Sequence, residues 1–343
     1  MAVAAERDPL IINGHPATPG AYPWMTALVR ASVPAEAGTF CGGALIAPRV
    51  VLTAAHCVVD RAPSSLDVVI GRYRRSDRDG ERIKVARIAS HPNYDPGPTS
   101  DDAALLKLGK PSVAPPLALV GPGDEPLWEP GRTAHLAGWG ILKEGGVEQP
   151  NELYETEVAI VTDAECAEAY RPLPGESPFK PSVEFCAGAP GTDTCQGDSG
   201  GPLFVDDGAG GFKQAGIVSY GIGCARKGIP GVYSKVAALR DFILAPEPRF
   251  APFNREPPKI TGKPRVSSTV RCRPGKWSEE PRDFIYVWGI HQPGQGPETT
   301  IQSRKPTLKL PPKFSYQRIA CKVTGHSTGG YSSAISEPVF VRP

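Results

Sequence analysis

No run of eighteen apolar residues occurs in the 343 residues of this chain, which excludes a membrane-spanning helix. The net charge of +2 leaves no overall excess of either sign, so the balance gives no reason to expect nucleic acid as a partner. None of the cysteines forms a Cys-x-x-Cys pair or sits near a second histidine at metal spacing, which argues against zinc; no metal or cofactor is expected. Met1-Ala-Val-Ala-Ala-Glu-Arg7 lacks the basic start and apolar core of a secretory signal. No internal repeat is visible.

Glycine (38) and proline (39) are abundant, and they punctuate short alternating apolar segments. That pattern predicts an all-β chain rich in turns. The length suits two or three domains. Eight cysteines, an even number spread over a long chain, point to disulfides and an oxidising compartment. The chain is therefore expected to be secreted, with Met1 standing in place of a removed signal peptide. Strands are expected at Tyr22–Arg30, Thr39–Ala47, Val50–Cys57, Leu66–Ile70, Ile83–Ile88, Ala103–Leu108, Thr133–Trp139, Glu155–Val161, Pro202–Val205, Gly216–Tyr220 and Gly231–Val236, and further on at Phe284–Trp288 and Arg318–Val323. Helices are expected at Asp163–Tyr170, capped by Thr162 or Asp163, and at Ala237–Leu244. The mixed-sign stretch Arg72–Arg82 reads as a solvated hairpin loop. Prolines crowd residues 246–258, a stiff linker, and residues 259–343 form a separate unit.

The densest chemistry lies in Asp193-Thr-Cys-Gln-Gly-Asp-Ser-Gly-Gly-Pro202. Ser199 stands between Asp198 and Gly200, where a tight turn can present a nucleophile and small neighbours leave the backbone N–H groups open to substrate. A serine needs a base, and the base needs an orienter. His56, after Val-Leu-Thr-Ala-Ala and before Cys57, is the histidine with a supporting context. His15, His91, His135, His291 and His326 read as surface or satisfied histidines. Asp101-Asp102 precedes the apolar run Ala103–Leu108 and supplies the acid, with Asp102 nearer the strand.

Ala54-Ala-His-Cys57, Asp102-Ala-Ala-Leu-Leu-Lys-Leu108 and Gly197-Asp-Ser-Gly-Gly-Pro202 together resemble the three active-site blocks of the chymotrypsin/trypsin-like serine proteases, in that family's order. Ala137-Gly-Trp-Gly140 and Gly216-Ile-Val-Ser-Tyr-Gly221 extend the resemblance, which runs from Ile11 to about Leu244. It implies two six-stranded β-barrels with the active site between them, over residues 11–245. It implies a secreted endopeptidase acting on proteins or peptides through an acyl-enzyme, with Ser199 as nucleophile, His56 as base and Asp102 as orienter. Gly197 and Ser199 would supply the oxyanion-hole N–H groups. Ser219, Tyr220 and Gly221 would pair with the substrate backbone. Asp193 would floor the specificity pocket and Gly231 and Gly221 would line its wall, selecting Arg or Lys at the cleaved bond.

The resemblance also implies activation. Ile11-Ile-Asn-Gly14 is similar to the family's mature start, and its new amine would pair with the buried Asp198 once residues 1–10 are removed. Leu10 departs from the basic residue found before that cut in simple self-activating relatives, so a separate activating protease is expected. Implied disulfides are Cys41–Cys57, Cys166–Cys186 and Cys195–Cys224, chosen by the resemblance from 105 pairings that spacing alone allows. Arg72 stands near where calcium-binding relatives carry an acid, which argues against calcium there.

In residues 259–343 the order Cys272, Trp288, Cys321 is compatible with an immunoglobulin-like β-sandwich. Several short runs are similar to the Ig-like modules appended to secreted bacterial proteins. This module would serve as a spacer or bind a protein, a glycan or a cell-wall surface. The competing reading of the whole is a catalytically silent binding protein on a protease scaffold, and the intact His56, Asp102, Ser199 and Gly197 argue against it.

Overall fold

The computed structural model describes residues 14–59, 61–95, 99–142, 144–171, 179–189, 195–224, 226, 228–245, 250–278, 281–290, 300–327 and 329–343. Ile11, Asp193 and His291 lie outside them. The chain divides into two compact units, one of residues 1–58 and 63–248, the other of residues 249–343 with the short segment 59–62.

Six strands of the first unit close into a barrel: β1 (Met25–Arg30), β2 (Thr39–Ala47), β3 (Val50–Thr53), β4 (Leu66–Ile70), β5 (Glu81–Ser90) and β6 (Ala104–Leu108), in the order β1-β2-β3-β6-β5-β4. Leu28, Leu45, Leu66, Ile70 and Ile83 on these strands are almost wholly removed from water, while Met25 and Ala27, on the other face of β1, pack with Trp139, Leu153 and Phe204. Each such side chain contributes roughly 1.5–3 kcal/mol of burial. Along β5 the apolar Ile83 and Val85 point inward and Arg82 and Lys84 outward, the period-2 pattern of a strand with one wet face.

A second ring follows: β7 (Thr133–Gly138), β8 (Tyr154–Ile160), β9 (Glu184–Gly188), β10 (Pro202–Asp206), β11 (Phe212–Tyr220) and β12 (Gly231–Lys235). The order β8-β9-β12-β11-β10-β7 closes through the β7–β8 ladder, which runs from Tyr154↔Gly138 to Ala159↔Thr133. The unit is all-β, as the sequence predicts, and both barrels have six strands. β9 was not among the expected strands; a glutamate at its head masks an otherwise buried run. The expected second helix shortens to Arg240–Ile243.

Helix α1 (Asp163–Ala169) begins in a capping box. Glu165 N–H donates to Thr162 Oγ1 at 3.1 Å, and Thr162 N–H donates to Glu165 Oε2 at 2.9 Å. Thr162 is therefore the cap, a feature worth about 1 kcal/mol. The box fixes Cys166 facing inward, bonded to Cys186 of β9. Cys41–Cys57 and Cys195–Cys224 are also bonded, so all three implied pairings of this unit are formed.

The Arg72–Arg82 loop is mostly exposed, in line with the solvated reading, but Arg75 departs from it. Arg75 is only 5% exposed. Its guanidinium donates to the carbonyls of Pro150 (2.8 Å), Glu36 (2.8 Å) and Gln149 (2.9 Å) and to Gln149 Oε1 (3.0 Å). The planar fork suits a cluster of carbonyls, which is why a charge can be buried here. Arg72 crosses the same loop, donating to the carbonyls of Asp79 and Arg75.

The second unit contains a three-stranded sheet of β13 (Lys259–Thr261), β14 (Thr269–Arg273) and β17 (Thr307–Lys309). Its larger sheet has the order β16-β15-β18-β19, from β15 (Asp283–Ile290), β16 (Thr300–Ser303), β18 (Arg318–Ser327) and β19 (Gly330–Ile335), with β20 (Val339–Phe340) on β18. Cys272 of β14 is bonded to Cys321 of β18, which ties the two sheets together. Trp288, the cross-strand partner of Cys321, is fully buried beside them. Within the proline-rich stretch, Asn254–Glu256 pairs with Lys276–Trp277.

Candidate active site

His56 and Asp102 sit at the ends of neighbouring strands. β3 pairs with β6, Thr53 opposite Ala104, so the chain leaving β3 and the chain entering β6 emerge side by side. Asp102 has no exposure. Its Oδ2 lies 2.7 Å from His56 Nδ1, and its Oδ1 accepts the His56 backbone N–H at 2.9 Å. The two bonds hold the same residue by ring and backbone, which fixes both the position and the tilt of the imidazole. Of the two adjacent acids, Asp102 faces His56; Asp101 lies 3.6 Å from His91.

Two further residues secure Asp102. Ser219 Oγ donates to Oδ2 at 2.6 Å, and Ser234 Oγ donates to the Asp102 carbonyl at 3.0 Å. Ser219 comes from β11 at a register shift between Val218 and Tyr220, which turns its side chain inward. Ser219 was expected for its backbone alone. Ser234 was not expected at all, since a lone serine in a strand carries no signal.

Burial works against the charged form of His56, but the Asp102 charge and hydrogen bond outweigh it, so the imidazole titrates above an ordinary histidine. The atoms of Cys41, His56 and Cys57 also lie close enough to suggest a metal cluster. Both sulfurs are spent in their disulfide, so neither is available as thiolate.

Ser199 stands on the turn before β10. Its carbonyl accepts the Gly42 N–H at 2.8 Å, and Gly200 N–H donates to the Val218 carbonyl at 2.8 Å. Gly200 is in the left-handed region (φ +80°), and a Cβ there would strike Thr53 Oγ1, the Gly42 carbonyl and Ala54 N. Only glycine lets the turn press against the segment that leads to His56. The structure thus brings the Ser199 turn onto the His56 segment, from blocks 143 residues apart in sequence.

Gly197, also left-handed (φ +104°), precedes this turn, with Gln149 Nε2 over its Cα. Beyond it opens a cleft of about 820 Å³ lined by Phe40, Arg75, Ile141, Val147, Gln149 and Gln196. Asp198, nearly buried, turns inward. Gly140 N–H donates to its Oδ1 at 2.8 Å and Cys195 N–H to its Oδ2 at 3.1 Å. Cβ atoms at Gly138 or Gly140 would overlap this carboxylate, which explains the Gly-Trp-Gly spacing.

On the other side, Tyr220 ends β11 and Gly231 begins β12, while Gly221 is exposed, and a Cβ there would meet the Gly223 carbonyl and the Tyr170 hydroxyl at ordinary contact distance. Tyr220 OH donates to Glu184 Oε2 at 3.2 Å. Glu184 has no exposure, and burial pushes its carboxyl up to about 7 against the pull of the Lys180 N–H and the Tyr220 hydroxyl. Nothing in the sequence singles out Glu184.

Residues 11–243 match the family model described as trypsin. The trypsin of Saccharopolyspora erythraea is 38% identical over 236 residues, covering 68% of this chain and 96% of that protein. The vitellin-degrading protease of Bombyx mori is 40% identical over 209 residues, 59% of this chain and 74% of its own. The trypsin-like protease of Streptomyces glaucescens is 36% identical over 242 residues, 70% and 83%. With two six-stranded barrels and a buried aspartate holding His56 beside the Ser199 turn, the chain belongs to the trypsin family and is a serine endopeptidase.

Proposed function

We propose that this enzyme cleaves peptide bonds after Arg or Lys through a Ser199–His56–Asp102 triad, in a secreted setting and after removal of residues 1–10. The observation that carries the reading is the double attachment of His56 to a fully buried Asp102. In the first step Ser199 Oγ attacks the scissile carbonyl while His56 takes its proton. His56 then returns the proton to the leaving amine, and water hydrolyses the acyl-enzyme by the same route. Asp102 stabilises the imidazolium formed in each step. The N–H groups of Gly197 and Ser199 receive the oxyanion, each such donor contributing about 3–4 kcal/mol to the transition state.

Specificity is assigned to Asp193, a carboxylate that complements a cationic side chain, with Gly221 and Gly231 leaving space for its stem. Residues Ser219–Gly221 add the substrate backbone as a strand. The activation role goes to Asp198, whose inward carboxylate would receive the amine of Ile11; supporting this, it already collects two backbone donors at the base of the Ser199 turn. Four disulfides support an oxidising, extracellular location. For residues 259–343 we favour an immunoglobulin-like module, supported by the inter-sheet Cys272–Cys321 bond beside buried Trp288.

The test is hydrolysis of chromogenic peptides ending in Arg, Lys or Phe by processed enzyme, with Ser199→Ala and Asp193→Ser as variants. Turnover of the Arg and Lys substrates, lost in Ser199→Ala and redirected in Asp193→Ser, is expected. Full Arg/Lys preference in Asp193→Ser would remove the pocket assignment.

A further inference from the structure

The near-neutral total charge conceals an uneven distribution. Residues 1–248 carry 22 Lys and Arg against 30 Asp and Glu, a net charge of −8; residues 249–343 carry 16 against 6, a net charge of +10. A polarity this large inside one chain is a signature of a surface that meets a polyanion.

The structure gathers part of this charge on one face. In the sheet β13-β14-β17, strand β14 sends Val270 and Cys272 into the core and Thr269, Arg271 and Arg273 outward. The register sets Lys259 opposite Arg273, then Thr261 and Thr307 on either side of Arg271, then Lys309 opposite Thr269. Paired residues share a face, so Lys259, Arg271, Arg273 and Lys309 stand together, all four exposed. Lys276 of this unit pairs with Glu256, whereas none of the four cations has a carboxylate partner among the described residues. Beyond Lys309, Arg265 bridges to Arg342, both exposed, and extends the same charge.

Two like charges directly opposite on a ladder destabilise it. Lys259 and Arg273 are such a pair, and the fold gives no packing reason for either, since both project into water. The strands are about 4.8 Å apart and alternate residues about 7 Å apart, so the four cations form a flat grid that a linear polymer can meet several at a time.

We propose that this face binds an acidic polysaccharide, with the four cations meeting its carboxylate or sulfate groups and Thr261, Thr269 and Thr307 its hydroxyls. The face carries no aromatic ring, so it lacks the stacking platform that single-stranded nucleic acid uses. It is a flat sheet rather than a helix or two-stranded ribbon, so it does not enter a major groove. It carries no exposed apolar side chain to anchor in a lipid interface. The Cys272–Cys321 bond places it in an oxidising compartment, where acidic glycans are met. The inference takes up the binding role open to this unit and is independent of the protease reading; turnover of a small chromogenic substrate by the same variants separates the two.

The test uses the full chain and fluorescein-labelled heparin, read by anisotropy at 50 and 200 mM salt. Four contacts predict an affinity loss on the order of 10²-fold across that range. Each of Lys259→Gln, Arg271→Gln, Arg273→Gln and Lys309→Gln should lower the log–log salt slope by about one. The four together should abolish binding while leaving circular dichroism and small-substrate turnover unchanged. A charge-matched control at the exposed Arg255, Arg282, Lys313 and Arg318 should keep most of it. Equal loss in the control, no binding at 50 mM salt, or tighter binding of single-stranded DNA of equal charge would overturn the proposal. So would self-association in sedimentation that the four substitutions abolish, because the face would then belong to a second copy.

Discussion

Asp102 grips His56 twice, through the ring nitrogen Nδ1 at 2.7 Å and through the backbone N–H at 2.9 Å. The ring bond stabilises the imidazolium, which is why His56 titrates above its ordinary range in spite of its burial. With His56 as the proposed base, active only when neutral, kcat/KM should fall as pH drops, with a midpoint above the ordinary value of about 6.5. Asp102→Asn removes the charge and leaves the burial, so the midpoint should move down. kcat should also fall by about 10⁴-fold, as this substitution does in triads of this type. An unchanged midpoint in Asp102→Asn would show that Asp102 does not set the His56 titration.

Ser219 Oγ and the Asp102 carboxylate are 2.6 Å apart, and both residues are buried. Ser219→Ala should destabilise the fold by about 1–3 kcal/mol in chemical denaturation, the cost of a buried charge losing a donor. Its kcat/KM should drop far less than that of Ser199→Ala. Stability equal to wild type would mean the hydroxyl is redundant.

Glu184 is a buried carboxyl held up to about 7, so its protonated form is favoured in the folded state. The sign follows: its stabilising contribution is complete below the ordinary carboxyl value of about 4.5 and is lost as pH rises through about 7. Glu184→Gln should come close to wild type in unfolding free energy near pH 5 and exceed it above pH 7 by roughly 2–3 kcal/mol, read from denaturation at each pH. Parallel melting curves across this range would contradict the assignment.

Arg75 joins the loops at Glu36 and at Gln149–Pro150, which line the cleft beside Gly197. Arg75→Met should cost about 2 kcal/mol or more, since it leaves buried carbonyls without donors. It should reduce kcat/KM more for peptides that continue past the cleaved bond than for p-nitroanilides that end there. Equal losses on both would confine Arg75 to a structural role.

The site was legible where the chemistry demands rare residues in rigid local settings. Ala54-Ala-His-Cys57 and Gly197-Asp-Ser-Gly-Gly201 need small neighbours for close backbone approach, and Gly200 against Thr53 and Ala54 shows why. Strands with one wet face, such as β5, were readable from alternation, and α1 from its cap. What escaped were residues whose role depends on a distant partner. Ser234 acts on Asp102 across 132 positions, and Arg75 on Pro150 across 75. Nothing local marks either: a strand serine and a loop arginine look the same with or without a partner. β9 escaped because Glu184, an acid by type, is buried and held by Tyr220 and the Lys180 N–H. The basic face of the second unit escaped because the total charge averages it against an acidic first unit.

The central claim is that Ser199 carries the acyl group of a cationic substrate. The most direct measurement is a burst titration of processed enzyme with a slowly deacylating guanidinobenzoate ester, followed by mass spectrometry of the labelled peptide. A burst of about one acyl group per chain, located on Ser199 and absent from Ser199→Ala, is the predicted result. A burst that persists in Ser199→Ala, or an acyl group on another residue of the wild type, would contradict it.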